Sequence, residues 1–211
     1  MTLTAFSEYL RFVVTLTAVL DPFLAVPIFV GLSARRSAAG RARLARAVTL
    51  TVFLVLVGAA VFGEAALELL GTSLAAFRVG GGLVLLLMSL AMLNAQVGAL
   101  RQTEAEAAEL EARDVAGVVP LAVPLLAGPG AISTTIIAAQ AGGAGHVTLI
   151  VACVGLVCAL LWSMLALAQV IGRRMGTTGL NIATRILGLL LAAIAIETMA
   201  LGLKGLFPGL A

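Results

Sequence analysis

The chain has 211 residues, 62% of them apolar and only 11% charged, with a mean hydropathy of +1.17. A water-soluble domain carries about 25% charged residues, so a soluble fold is excluded and a membrane protein is indicated. The 13 basic and 10 acidic residues leave a net charge of +3, but the basic ones fall in short stretches between apolar runs, with no soluble domain to hold DNA or RNA; nucleic acid is excluded as a partner.

A membrane-crossing helix needs about 20 mostly apolar residues, so the length accommodates six spans but not ten. The long apolar runs lack the period-two alternation of barrel strands, and backbone groups in hydrocarbon must be satisfied within the segment or in a closed barrel. The predicted fold is therefore an all-α polytopic membrane protein with six transmembrane helices in a single domain, 1–211, with spans at 6–32, 47–63, 75–97, 115–140, 147–171 and 182–206.

The N-terminus carries Glu8 and Arg11 and then a short apolar stretch without a small-residue cleavage pattern, so the first span is expected to be retained rather than removed as a signal peptide. This span is interrupted by Asp21-Pro22 and by Pro27. Proline removes an amide donor and clashes with the preceding turn, so a break near mid-membrane is expected. A carboxylate at that depth costs several kcal/mol on insertion scales, roughly 2.5–3.5, so Asp21 must face a cavity, gain a partner or be protonated. Two roles stay open for it: binding a substrate ammonium, cation or proton, and capping the half-helix that Pro22 opens.

In the third span, Gly80-Gly81-Gly82 permit close helix approach, as Gly188 does in the sixth. Arg78 and Arg185 are read as headgroup anchors with snorkelling stems. The stretch from Arg101 to Asp114 is rich in Ala and Glu and is expected to be a short solvated helix. The fourth span is interrupted by Pro120, Pro124 and Gly128-Pro129-Gly130, after which Ala131-Ile132-Ser133-Thr134-Thr135 read as the opening of a second half-helix. His146 stands alone in a short loop, and Cys153 and Cys158 lie in one apolar run, so neither a metal set nor a disulfide framework is formed. Trp162 and Tyr9 are too few for an aromatic cage. Glu197 is deep in the sixth span and is a candidate for proton relay or cation binding, unless it sits near the water boundary and pairs with Lys204.

Arg35, Arg36, Arg41, Arg43, Arg46, Arg101, Arg113, Arg173, Arg174 and Arg185 fall on one side of this arrangement, against Arg11, Arg78 and Lys204 on the other. By the excess of basic residues in cytoplasmic loops, both termini are expected outside the cytoplasm.

The chain also repeats itself at a constant offset of 107 positions, which places Pro22 on Pro129, Ala76 on Ala183, Arg78 on Arg185, Gly81 on Gly188, Met92 on Met199 and Gly98 on Gly205. Two related three-helix halves, 1–104 and 105–211, are expected. Because three spans are an odd number, the second half enters the membrane with opposite topology, giving an inverted repeat with helices 1 and 4 both discontinuous. Matching breaks of this kind mark a secondary-transporter site, since amides at a half-helix start attract an anion and carbonyls at a half-helix end attract a cation. A small zwitterion suits both. No catalytic set emerges, and no enzyme activity, metal or cofactor is expected.

The Asp21-Pro22 pattern with Pro27-Ile28-Phe29, the run from Pro120 through Pro124 to Gly128-Pro129-Gly130-Ala131-Ile132-Ser133, and Arg185-Ile186-Leu187-Gly188 resemble the MarC/SnatA family of bacterial and archaeal inner-membrane proteins. The resemblance covers nearly the whole chain. It implies six spans and, from the family's amino-acid transporters, movement of small neutral amino acids such as glycine and alanine. It places the broken-helix motifs on Asp21, Pro22, Pro27, Gly128, Pro129, Gly130 and Ser133. At Glu197 the chain departs from the resemblance, since many members have an amide or apolar residue there, so a coupling role would be particular to this chain or absent.

The resulting expectation is a secondary transporter of the glycine and alanine class in the inner (plasma) membrane, working by alternating access. The binding candidates are Asp21, Pro22, Gly128, Pro129, Gly130, Ala131, Ser133 and Thr134, with Asp21 and Glu197 as ion-coupling candidates. A proton is favoured over sodium, because these are the only deep carboxylates. The alternatives are a non-transporting membrane scaffold or stress-response protein, and an exporter of other small molecules. Homo-oligomerisation is left open.

Overall fold

A computed structural model describes residues 3–33, 36–94, 122, 126–207 and 209. Seven helices are described: α1 (Leu3–Leu20), α2 (Pro22–Ser33), α3 (Ala38–Leu69), α4 (Leu74–Leu93), α5 (Pro129–Ala139), α6 (Ala144–Ala166) and α7 (Ala168–Leu206). Taking α1 and α2 together from Ser7, five helical segments are long and apolar enough to cross a membrane, and α5 is a shorter apolar helix. The expected helix over 101–114, together with Pro120 and Pro124, lies outside the described residues, so the fourth span is described mainly through α5.

Local chemistry explains the helix boundaries. Ser37 caps α3 by accepting from the Gly40 amide at 3.1 Å, and Ser73 caps α4 by accepting from the Ala76 amide at 3.1 Å. Between them α3 ends in a Schellman arrangement: the amides of Gly71 and Thr72 donate to the carbonyls of Glu68 and Leu67, with Gly71 at φ +65°. The left-handed conformation is inexpensive only because this residue has no Cβ.

The helices pair antiparallel. Phe53 of α3 faces Gly155 of α6, and Arg46 and Trp162 line the same groove further along. The more extensive pair is α4 with α7, held at small residues: a Cβ added at Gly188 would stand 2.8 Å from Met92 Cβ and 3.2 Å from the Ser89 carbonyl oxygen. One added at Gly82 would stand 2.5 Å from Met199 Cγ and 3.0 Å from the Ala195 carbonyl oxygen. At the far end, Gly202 lies under the Ala75 carbonyl. Glycine at these places brings the two backbones close enough for dispersion contact along the pair, the main source of helix association in lipid.

The core gathers Leu16, Val19, Leu20, Val26, Phe29, Val52, Leu56, Val154, Leu161, Leu165 and Leu191, all closed to solvent. Outside it, Leu50, Leu54, Phe62, Leu156, Ile186, Leu189 and Leu201 stand exposed. A belt of large apolar side chains on the outer surface is what contact with hydrocarbon requires and what a water-facing monomer avoids.

Three expectations are corrected. The sixth span starts before 182: helix follows α6 from Ala168, separated from it only by Leu167, and a kink at non-helical Gly176 (φ +62°) parts this first stretch from the rest of α7, so Arg173 and Arg174 lie on helix rather than in a loop. The apolar pattern hid this because 172–181 is polar on its exposed side, while Leu180 is buried. His146 lies in the first turn of α6 rather than in a loop. Glu197 pairs with Arg11 of α1, not with Lys204.

Candidate functional site

Asp21 forms the junction between α1 and α2. Its amide donates to the Thr17 carbonyl at 3.1 Å, completing α1, and its carbonyl accepts from the Ala25 amide at 3.2 Å, starting α2. Pro22 has no amide to donate and disfavours the right-handed helical conformation at the residue before it. Asp21 accordingly sits at φ 45°, the one non-glycine residue with positive φ among the described residues. Asp and Asn tolerate this region better than other side chains because a short polar group bonds locally, and Asp21 Oδ1 does so, accepting from the Leu24 amide at 3.2 Å. The capping role is thus present. The same oxygen also accepts from the Thr184 hydroxyl of α7 at 3.3 Å, and the residue is fully buried.

The second junction is at Gly128. Immediately before it, the Ala127 amide donates to the Ala122 carbonyl at 2.8 Å. Gly128 is then extended (φ −79°, ψ 179°) and its carbonyl accepts from the Ile132 amide at 3.1 Å, the first bond of α5. Pro129 occupies the first helical position, where its missing amide costs nothing. No side chain caps this end of α5, so the opening turn at Gly130 and Ala131 presents amides and the positive end of the helix dipole.

The two junctions lie side by side. A Cβ at Gly130 would stand 3.4 Å from Val19 Cγ1, two residues before Asp21, with Met88 Sδ at 2.6 Å and Leu85 Cδ2 at 3.2 Å closing the other sides. Ser133 is pressed against Gly81 of α4, whose added Cβ would meet Ser133 Cβ at 3.0 Å. Thr135 donates back to the Ala131 carbonyl at 2.8 Å and is wholly buried. Thr134 differs: its hydroxyl oxygen is buried with no hydrogen-bond partner among the described residues, and the residue lines a cleft of about 210 Å³.

That cleft opens between α1, α5 and α7. Its walls carry the hydroxyls of Thr15, Thr134 and Thr198, the apolar Phe12, Leu85 and Ile137, and a charged rim of Glu8, Arg11 and Glu197. Arg11 and Glu197 form an ion pair, each about half exposed. Of the residues singled out from sequence, Thr134 and Glu197 border the cleft, while Asp21, Gly130 and Ser133 are packed behind it. Sequence reasoning missed Arg11, Thr15, Thr184 and Thr198. Arg11 had one available signal, a cation at the start of an apolar run, whereas single threonines in spans are too common to stand out.

His146 has a structural place: its ring nitrogens bridge the Ala138 carbonyl near the end of α5 and the Tyr9 hydroxyl of α1, both at 2.8 Å. Among the described residues no three His, Cys, Asp or Glu side chains gather as a metal site would need.

Helices of membrane-spanning length with an apolar outer belt define a polytopic α-helical integral membrane protein. The chain belongs to the MarC family of integral membrane proteins, whose family model matches residues 6–207. It is 34% identical to the UPF0056 membrane protein YhcE of Escherichia coli over 206 residues, covering 97% of this chain and 96% of that one. It is 37% identical to the UPF0056 membrane protein MJ1677 of Methanocaldococcus jannaschii over 190 residues (89% and 92% of the two chains). With the UPF0056 membrane protein YvbG of Bacillus subtilis it shares 34% identity over 207 residues (96% and 97%). No solved structure matches the chain.

Proposed function

We propose that this protein is a secondary transporter of small neutral amino acids of the glycine and alanine class, working by alternating access in the inner (plasma) membrane with both termini outside the cytoplasm. The observation that carries the reading is the approach of the two helix breaks, with Val19, two residues before Asp21, against Gly130, and a polar cleft reaching the same half-helix at Thr134. Paired half-helix ends of opposite polarity suit a zwitterion: the carboxylate rests on the opening turn of α5 after Gly130, and the ammonium faces Asp21 and the carbonyls that end α1. No chemical transformation is involved, so the protein acts by transport and not as an enzyme.

An inverted repeat of residues 1–104 and 105–211 is supported by the reciprocity of the α4 and α7 contact. Met92 packs on Gly188, and Met199, offset from Met92 by 107, packs on Gly82, beside the residue that the same offset relates to Gly188. Antiparallel membrane-crossing helices that exchange contacts in this way are related by a two-fold axis lying in the membrane plane. The halves then rock about α4 and α7. In the conformation described here Met88, Leu85 and Val19 close over Gly130, so the cleft rimmed by Arg11 and Glu197 is the approach and the binding position itself is shut. A proton is the coupling ion in this reading, carried by Asp21 or Glu197.

Counterflow in proteoliposomes with radiolabelled glycine, alanine, serine and one bulky drug, with and without a proton gradient, tests the proposal. Exchange of the three amino acids, faster with the gradient and absent for the drug, is expected. Exchange of the drug alone identifies an exporter of other solutes. No exchange, together with no stabilisation by any amino acid, identifies a scaffold, since a ligand bound to the folded form raises stability by RT ln(1 + [L]/Kd).

A further inference from the structure

A second hollow lies at the α3 and α6 pair. It is an open groove of about 510 Å³ whose body is apolar, formed by Leu50 and Phe53 of α3 and Gly155 and Ala159 of α6, and whose end carries Arg46 and Trp162. A Cβ added at Gly155 would reach only Phe53, at 3.8 Å, so the glycine leaves a trough rather than a tight helix contact. Beyond Arg46 and Trp162 the hollow continues for about 270 Å³ past Arg41 and Gln169.

The vertical placement of these groups is set by helix length. The 32 residues of α3 extend about 48 Å at 1.5 Å per residue, against a hydrocarbon thickness of about 30 Å. A helix centred in the bilayer projects by roughly six residues at each end, which puts Arg46, the ninth residue of α3, within one turn of the boundary between hydrocarbon and headgroups. Trp162 lies four residues before the end of α6 at the same level, the depth at which an indole ring is favoured. Arg41 sits about one turn further out, donating to the Arg36 carbonyl at 2.8 Å. The one ion pair among the described residues is that of Arg11 and Glu197, so no carboxylate among the described residues pairs with Arg41 or Arg46.

We infer that this groove is a binding site for a phospholipid with an anionic headgroup, one acyl chain lying along Phe53 and Gly155 and the phosphate held by Arg46 and Arg41. Hydrocarbon length, interfacial tryptophan and uncompensated guanidinium groups follow one another in the order in which such a lipid presents chain, glycerol and phosphate. A zwitterionic phospholipid would satisfy the trough but leave the two cations without a net counter-charge.

Trp162 is the chain's only tryptophan, which makes its emission a direct readout. The full chain is reconstituted in phosphatidylcholine with increasing mole fractions of phosphatidylglycerol brominated on its acyl chains, and compared with brominated phosphatidylcholine. Half-maximal quenching is expected at about fivefold lower mole fraction for the anionic lipid, the equivalent of about 1 kcal/mol for one basic residue at the surface. Arg46→Gln should remove that preference, Arg46→Lys should keep most of it, and Gly155→Leu should weaken quenching by both lipids. Equal quenching by both lipids in the unmodified chain, or an undiminished preference in Arg46→Gln, overturns the assignment. Because quenching requires no substrate, the result is independent of whether the protein transports amino acids.

Discussion

The Thr184 hydroxyl donates to Asp21 Oδ1 at 3.3 Å, tying the middle of α7 to the single residue at which α1 becomes α2. The bond crosses from one half of the sequence to the other and satisfies a carboxylate oxygen that is fully buried. Thr184→Val is nearly isosteric and removes only the donor. It should cost about 1–3 kcal/mol of stability, the range for leaving a buried polar group short of a partner, whereas Thr184→Ser should cost less. Thermal unfolding of the purified variants in one detergent measures both; a valine variant as stable as the parent would mean that the bond contributes nothing.

Asp21→Asn separates the two roles of that carboxylate. Asparagine keeps an acceptor for the Leu24 amide and tolerates φ 45°, so helix capping survives. The melting temperature should fall by only a few degrees, while gradient-driven amino-acid uptake should fall at least tenfold if the charge meets an ammonium or a proton. Uptake equal to that of the parent would reduce Asp21 to a cap.

Gly130 tests whether the junction of α5 is packed as described. The nearest atom to an added Cβ is the end of a flexible side chain, Met88 Sδ at 2.6 Å, and the next two are methyl groups of Leu85 and Val19. Gly130→Ala should therefore cost about 1–3 kcal/mol by overpacking, and Met88→Ala in the same chain should recover much of it. A double-mutant cycle should give a favourable coupling of about 0.5–3 kcal/mol. Gly130→Leu exceeds what Met88 can vacate and should abolish counterflow. Additive single effects would place the two side chains apart.

Much of this architecture is legible in the sequence because a bilayer imposes simple rules. The breaks at Asp21-Pro22 and Gly128-Pro129 follow from the missing proline amide, and the spans follow from apolar length. The 107-residue offset directs attention to Gly188 and Met199, which meet α4 at Met92 and Gly82. What sequence does not yield is set by tertiary contact. The start of α7 is concealed by polar residues that stay helical up to Gly176. The partner of Glu197 is on α1, 186 positions away, while the nearer Lys204 looked equally suitable. Thr15, Thr184 and Thr198 acquire meaning only when the helices around them are placed.

The glycines of the α4 and α7 seam differ in what surrounds them. Gly188 and Gly82 each face a backbone carbonyl, at 3.2 and 3.0 Å from an added Cβ, whereas Gly80 faces nothing within 4 Å. A backbone oxygen cannot rotate away, so Gly188→Val and Gly82→Val must separate the helices and should each cost about 1–3 kcal/mol or more. Gly80→Ala should be neutral or slightly stabilising, because it lowers the entropy of the unfolded chain at no steric cost. Unfolding midpoints of the three variants check the contrast, and equal losses at all three positions would argue against close contact at Gly82 and Gly188.

The ion pair of Arg11 and Glu197 stands at the rim of the cleft with both side chains about half exposed. In such surroundings screening holds its contribution to stability to about 1 kcal/mol or less, so its value must lie elsewhere if it has one. Either partner's substitution, Arg11→Gln or Glu197→Gln, should leave the melting temperature within a few degrees of the parent. If the pair latches α1 to α7 across the approach, the exchanged pair R11E/E197R should recover counterflow that each single charge reversal lowers. If Glu197 carries the coupling proton, Glu197→Gln should lose acceleration by a proton gradient more than tenfold while counterflow without a gradient falls far less, and the exchanged pair should not restore it. A glutamine variant that keeps its full response to the gradient would leave Asp21 as the one deep carboxylate able to couple transport to protons.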